Sequence, residues 1–211
     1  MNPDALQRVP EEMPAPPVAA DGAGVWERWQ AFTVRRRTFF SLLVVVPLFL
    51  LARPRPIWYL AGLGLVLLGL ALRVAASGYL IKSAQLTVSG PFAHMRHPLY
   101  VASFAVAMGY SAMSGHWCAF PIMAVLYVAI YGPTIAFEES FLAEKFGGAY
   151  DEYRARVPGV FPRLRCAPGS WRGFRWALVV FNKEHVNAAG VAAIALAFAV
   201  RLLIWLTSAQ A

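Results

Sequence analysis

Apolar residues run in five stretches along the chain, at 38–52, 57–81, 98–113, 117–137 and 187–207, with polar segments between them. A helix that crosses a bilayer needs about 20 predominantly apolar residues. The second, fourth and fifth stretches reach that length. The first and third are shorter, which suits tilted hairpin partners or helices that extend into their flanks. Two links are short enough to make hairpins: Arg53-Pro54-Arg55-Pro56, where proline stops helix propagation, and Ser114-Gly115-His116. Ahead of the first stretch, Trp26, Trp29 and Phe32 recur at helical spacing and Arg35-Arg36-Arg37 follow. That pattern predicts an interfacial helix over 25–37 with a basic anchor. Residues 1–24 are rich in Pro and Ala without an apolar core and read as a disordered tail. The fold expected is all-α: an integral membrane helical bundle of about five transmembrane helices, with a cytoplasmic helical segment before the last span.

Composition supports a bilayer. Apolar residues make up 59% of the 211 residues and charged residues 14%, against about 25% charged in soluble domains. The net charge of +8 would suit either nucleic acid or an anionic membrane surface. The long apolar runs favour membrane lipids, and no nucleic-acid partner is expected. Placing the N-terminus in the cytoplasm puts Arg35, Arg36, Arg37, Lys82, Arg96 and the basic residues between 145 and 183 inside, and leaves Arg53 and Arg55 outside. The positive-inside rule selects this orientation. Both polar segments, 82–97 and 138–186, then share the cytoplasmic side. Cys118 and Cys166 fall on opposite faces and are not expected to pair. His94, His97, His116 and His185 have no zinc-like spacing, so no metal is expected.

The first polar segment reads Gly90-Pro91-Phe92-Ala93-His94-Met95-Arg96-His97-Pro98-Leu99-Tyr100. Gly-Pro signals a turn, and Pro98 suits the first turn of the third span. That helix start offers free N–H groups and a positive dipole end to a polar ligand group, with Arg96 and His97 as further donors. The plainer reading is an interfacial cap, with Arg96 on lipid phosphate. The second segment opens with Glu138-Glu139 directly after an apolar span, where two carboxylates are expensive unless solvated or paired. Pro133 lies just upstream as a possible kink. Glu139, Leu142 and Phe146 share one helix face, Gly147-Gly148 stop the helix, and a second short helix carries Tyr150, Tyr153 and Arg154 until Val157-Pro158 ends it. Cytoplasmic helices are thus expected over 138–157. The plainer reading is a solvated helix end; the sharper one is a carboxylate that receives the ammonium of an amino-acid-like cofactor. Asn182, before the fifth span, is an N-cap candidate.

Taken together, Arg96-His97-Pro98-Leu99-Tyr100, Glu138-Glu139 with Leu142, Phe146-Gly147, Tyr150, Tyr153, Arg156-Val157-Pro158 and Pro162 resemble the isoprenylcysteine carboxyl methyltransferase family and the related membrane phospholipid methyltransferases. The resemblance implies an integral membrane helical fold that binds S-adenosylmethionine at its cytoplasmic end. It places the cofactor on Ala84, Gln85, Leu86, Thr87, Phe92, His97, Pro98, Leu99, Tyr100 and Glu138. Glu138 would meet the cofactor's amino-acid end, and the 84–87 strip its adenosine part. Two departures stand out. Phe92 occupies a position that is often tyrosine. Thr134 stands where the isoprenylcysteine enzymes look to have a substrate-orienting arginine, so a carboxylate substrate would lose its bidentate partner. Arg73, inside the second span, is the candidate substitute, against a snorkelling or helix-pairing role.

Methyl transfer from a sulfonium needs alignment of nucleophile, methyl and sulfur more than acid or base. A site at the membrane boundary would admit a soluble cofactor from the cytoplasm and a lipophilic, prenylated or lipid substrate from the bilayer. A neutral nucleophile would need a base, for which Glu139 is the candidate, with Arg96 beside it. The expected activity is therefore S-adenosylmethionine-dependent methylation of a lipophilic acceptor. A nicotinamide-dependent membrane reductase and a non-catalytic membrane protein are the alternatives, and neither accounts for both polar motifs.

Overall fold

The computed structural model describes residues 24–81, 85–164 and 170–208. The described residues form helices and no strands: α1 Val25–Leu50, α2 Pro56–Ser77, α3 Pro98–Met113, α4 Ala119–Phe146, α5 Gly148–Arg156, α6 Trp176–Phe181 and α7 Glu184–Ser208, with a 3-10 turn at Gly90–Ala93. Three of them, α2, α4 and α7, are long and apolar enough to cross a membrane, and α3 is a shorter apolar helix. This is the all-helical membrane bundle that the apolar pattern predicted. Large apolar side chains such as Leu60, Leu67, Val125, Val128, Leu196 and Leu203 point outward, where acyl chains solvate them as well as a protein core would.

α2 and α3 form the most extensive helix pair, and small residues are the reason. A Cβ on Gly109 would lie 2.7 Å from the carbonyl oxygen of Gly62, and one on Gly69 2.7 Å from that of Ala102. In a bilayer, where burial of apolar surface drives helix pairing little, such close backbone approach supplies the van der Waals contact. Val66, Val106, Tyr110, Met113 and Phe198 then join α2, α3 and α7 into one core.

α1 runs unbroken through the stretch expected as an interfacial helix and a first span. It packs on α4, and proline shapes that contact. Pro133 lies within α4 and has no N–H for the carbonyl of Ala129. The indole Nε1 of Trp29 donates to that oxygen instead, at 3.2 Å, and Gln30 Nε2 donates to Pro133 O at 3.1 Å. At the opposite end of the bundle, Arg201 of α7 donates to the carbonyls of Leu50 and Ala52, where α1 finishes.

Several boundaries differ from the sequence reading: α2 ends at Ser77 rather than at 81, and α4 continues unbroken to Phe146, past the expected span end at 137. α7 begins at Glu184, three residues ahead of the expected span, and this draws Glu184 into the bundle. Asn182 is not the N-cap of that helix. It ends α6, and its Nδ2 donates to the carbonyls of Ser77 and Leu80, so it ties the last hairpin to the end of α2. A carboxamide can meet two free C-terminal carbonyls at once, which makes that contact the better use of the side chain. The predicted stops at Gly147 and Val157 are in place; Gly147 takes φ +52°, a conformation that glycine adopts without strain. Residues 1–23, which hold nearly all of the expected tail, and Ala84, Lys82 and Cys166 lie outside the described residues.

Candidate active site

The helices alternate in direction, so the start of α3, the end of α4, the end of α2 and the start of α7 gather at one end of the bundle. The two polar segments meet there. Glu139 Oε1 accepts from Arg96 Nη2 at 2.6 Å and Nε at 3.1 Å, and lies 2.9 Å from His97 Nε2. Arg96 reaches further: its Nη1 donates to the carbonyl of Val157 at 2.8 Å, and its backbone N–H to that of Pro158 at 2.8 Å. The His97 backbone N–H donates to Gly159 O at 3.0 Å. One arginine thus fastens the start of α3 to the end of α4 and to the exit of α5. His97 is 4% exposed, and its ring contacts that of Tyr100, which in turn contacts Tyr131.

Glu138 differs from its neighbour. A step of one residue turns a side chain about 100° around a helix. Glu139, on the Leu142 and Phe146 face, is drawn to Arg96, whereas half-buried Glu138 has no hydrogen-bond or ion-pair partner among the described residues. A carboxylate held at a membrane edge without a cation is a ready receptor for one.

The floor beneath these acids is aromatic. Tyr150, Tyr153 and Val157 of α5 pack against Leu142 and Phe146 of α4 and against Leu86 of the predicted adenosine strip. Tyr153 donates its hydroxyl to the Phe92 carbonyl at 2.8 Å, which fixes the 3-10 turn on α5. Tyr150 is fully buried, and its hydroxyl has no hydrogen-bond partner among the described residues. Burial raises its pKa, and the Glu139 carboxylate nearby adds to the rise, so the phenol keeps its proton and stands as an unused donor. Both tyrosines belong to the motif read from sequence, but nothing in that motif marks them as site residues. Only the packing of α5 under α4 turns them inward.

The other predicted residues take varied places. Pro98 opens α3. Leu99 packs against Ala76, Tyr79 and Phe92. Thr87 is buried and accepts the Ile81 N–H, while Gln85 is exposed. Thr134 is fully buried in α4, and its hydroxyl donates back to Ile130 O. Arg73 stands apart from the Glu139 cluster. Its Nε and Nη2 donate to the two oxygens of Glu184 at 2.6 and 3.1 Å, and its Nη1 to Ser103 Oγ at 2.5 Å. Among the described residues, no group of His, Cys, Asp and Glu is placed to hold a metal ion.

Residues 57–149 match the phospholipid methyltransferase family model. Among curated proteins, the chain is 36% identical over 83 residues to the nickel-cobalt-cadmium resistance protein NccN of Alcaligenes xylosoxydans and to the cobalt-zinc-cadmium resistance protein CzcN of Cupriavidus metallidurans. Each match covers 39% of this chain and 38% of the relative. It is 30% identical to the protein-S-isoprenylcysteine O-methyltransferase of Schizosaccharomyces pombe, again over 83 residues, 39% of this chain and 35% of that enzyme. The chain therefore spans under two fifths of the length of the curated relatives it matches. No solved structure matches it significantly. The resemblance to membrane methyltransferases read from the motifs is borne out.

Proposed function

From a methyltransferase-family segment set in a bundle of membrane-type helices, we propose that this protein transfers a methyl group from S-adenosylmethionine to a lipophilic acceptor at the cytoplasmic boundary of the membrane. The observation that carries the reading is the pairing of a partnerless carboxylate, Glu138, with a buried unused donor, Tyr150, beside the Arg96–Glu139–His97 cluster. An α-amino acid presents one ammonium and one carboxylate. Glu138 would hold the ammonium and Tyr150 would donate to the carboxylate. Leu86 and Phe92, with Ala84, Gln85 and Thr87, would line the adenosine side. His97, Pro98, Leu99 and Tyr100 would border the sulfur.

When bound there, the cofactor would supply an electrophilic methyl, with the sulfur keeping the electron pair of the bond that is lost as the acceptor atom gains the methyl. The protein's task is alignment and exclusion of water. Glu139, held by three donors on one oxygen, keeps its negative charge beside the reacting centre. Such an acid is a weak base, yet an acceptor hydroxyl or thiol becomes strongly acidic once methylated, and a carboxylate suffices to take that late proton. Arg96 positions Glu139 and closes the site against α5. The N-terminus and this end of the bundle would face the cytoplasm, following the distribution of Lys and Arg.

Calorimetry with S-adenosylhomocysteine tests the assignment. Glu138→Gln should weaken binding roughly tenfold to a hundredfold, as loss of a charge-assisted hydrogen bond predicts, and leave the melting temperature unchanged because Glu138 supports no contact. Unchanged affinity would remove Glu138 from the site. A wild-type protein that binds no S-adenosylhomocysteine would overturn the function.

A further inference from the structure

Between α1, α3, α4 and α7 lies a cavity of about 200 Å³ that the chemistry above leaves unassigned. Its walls are mostly apolar, with Val106 of α3, Met123 of α4 and Val191 and Ile194 of α7 among them. Arg73, Ser103 and Asn187 form its polar part. Ser103 lies in the second turn of α3 and Asn187 in the first turn of α7, so this part sits toward the end of the bundle that holds the Glu139 cluster. Tyr131, also in the wall, contacts Tyr100, and Tyr100 contacts His97. The cavity thus backs onto the candidate site through one aromatic layer.

The polar part is already neutral. Glu184, 3% exposed, takes two donors from Arg73 and a third from Asn187 Nδ2 at 2.8 Å. A carboxylate entering beside Arg73 would have to compete with Glu184 for the same fork, and would leave one negative charge without a counter-ion in an apolar interior. A protonated amine would leave an equally unmatched positive charge. Both are costly, because a charge inside a low-dielectric site must be paired. A hydrocarbon group whose head is an uncharged hydroxyl or thiol carries no such penalty.

We infer that this cavity seats the hydrocarbon part of the methyl acceptor, and that the acceptor is an uncharged apolar alcohol or thiol rather than a carboxylate. The inference rests on the proposed methyl transfer. Size supports a hydrocarbon occupant: an apolar cavity of about 150 Å³ takes up benzene, and this one, partly open, holds at least a small branched or aromatic group. The α7 wall lies outside the matched 57–149 segment, so this selectivity belongs to the chain's own C-terminal hairpin.

The test is photolabelling of the full chain in phosphatidylcholine–phosphatidylglycerol nanodiscs, with a short alkyl diazirine alcohol and the carboxylic acid of the same alkyl chain. The alcohol should label α3, α4 and α7 peptides about tenfold more than the acid. Ala107→Phe fills the cavity from α3, and Ile194→Phe fills it from α7 should the first fail to fold. Either should cut labelling about tenfold with S-adenosylhomocysteine affinity unchanged. Equal labelling by the acid, or full labelling in both filled variants, overturns the inference even where the cofactor analogue binds. A wild-type protein that fails to bind S-adenosylhomocysteine overturns the methyltransferase reading, whereas selective labelling lost on filling would still support a site for uncharged apolar ligands.

Discussion

Arg96–Glu139 and Arg73–Glu184 are chemically the same pair set in two different places. In the first, arginine and glutamate are 13% and 21% exposed and come from segments that both lie in or beside the matched family core. Arginine spends its remaining donors on backbone carbonyls around the α5 exit. In the second, the glutamate side chain is 4% exposed and comes from the helix beyond that core. There each guanidinium nitrogen donates to a side chain, two to Glu184 and one to Ser103. The difference teaches what a buried ion pair does in each place. At the boundary it joins elements and leaves a charged cluster beside an unpaired acid. Within the bundle it cancels charge, so that a cavity next to it stays neutral.

The comparison breaks most readily at Glu184. Glu184→Ala leaves Arg73 buried and uncompensated and should cost about 3–5 kcal/mol, read as a large fall in melting temperature. The double change Arg73→Met with Glu184→Met removes both charges and should recover most of that loss; a double variant no more stable than the single would show that the pair contributes more than mutual neutralisation. Glu139→Gln should act the other way round. The amide still accepts hydrogen bonds, so the fold should hold, while kcat/KM should fall about a hundredfold, roughly 2.7 kcal/mol. A melting temperature that falls as far as the activity would make Glu139 a structural residue like Glu184.

Smaller changes sharpen the contrast between structural and functional contacts. Trp29→Phe removes the donor to the Ala129 carbonyl and should cost about 1 kcal/mol by chemical denaturation. In a Pro133→Ala background a helical N–H again reaches that carbonyl, and the cost should shrink; an equal cost in both backgrounds would show that the indole ring, not its N–H, matters. Last comes the exposed Arg156–Glu152 pair on α5, at 68% and 74% exposed. Glu152→Gln should change stability by less than about 0.5 kcal/mol and weaken further in salt. A larger effect would mean that α5 is held by its surface charges and not by Tyr150 and Tyr153.

The cluster was more legible in the sequence than the cavity. Arg96, His97, Glu138 and Glu139 stand out because charged and polar side chains at the edge of apolar runs are rare, and the motifs that hold them are local in the chain. Glu184 did not stand out. It sits at a helix start, where an acidic residue is commonplace, and nothing in its neighbourhood signals Arg73, 111 residues away. Asn182 misled for the same reason: an asparagine before an apolar run fits a cap, but the free carbonyls at Ser77 and Leu80 that it serves come from another helix. Tyr150 and Tyr153 could be read as motif members but not as inward-facing, since the turn at Gly147 decides how α5 lies under α4.

By itself the sequence determined the all-helical membrane architecture, the placement of both polar segments at helix boundaries and the family they resemble, because apolar run length and helix punctuation are properties of neighbouring residues. Only the tertiary structure decided which acid was paired and which was left open, which partners each arginine met, and that a neutral apolar cavity lies behind the candidate site. Those outcomes depend on contacts between helices far apart in the chain, where charge compensation and close packing, rather than local pattern, set the energy.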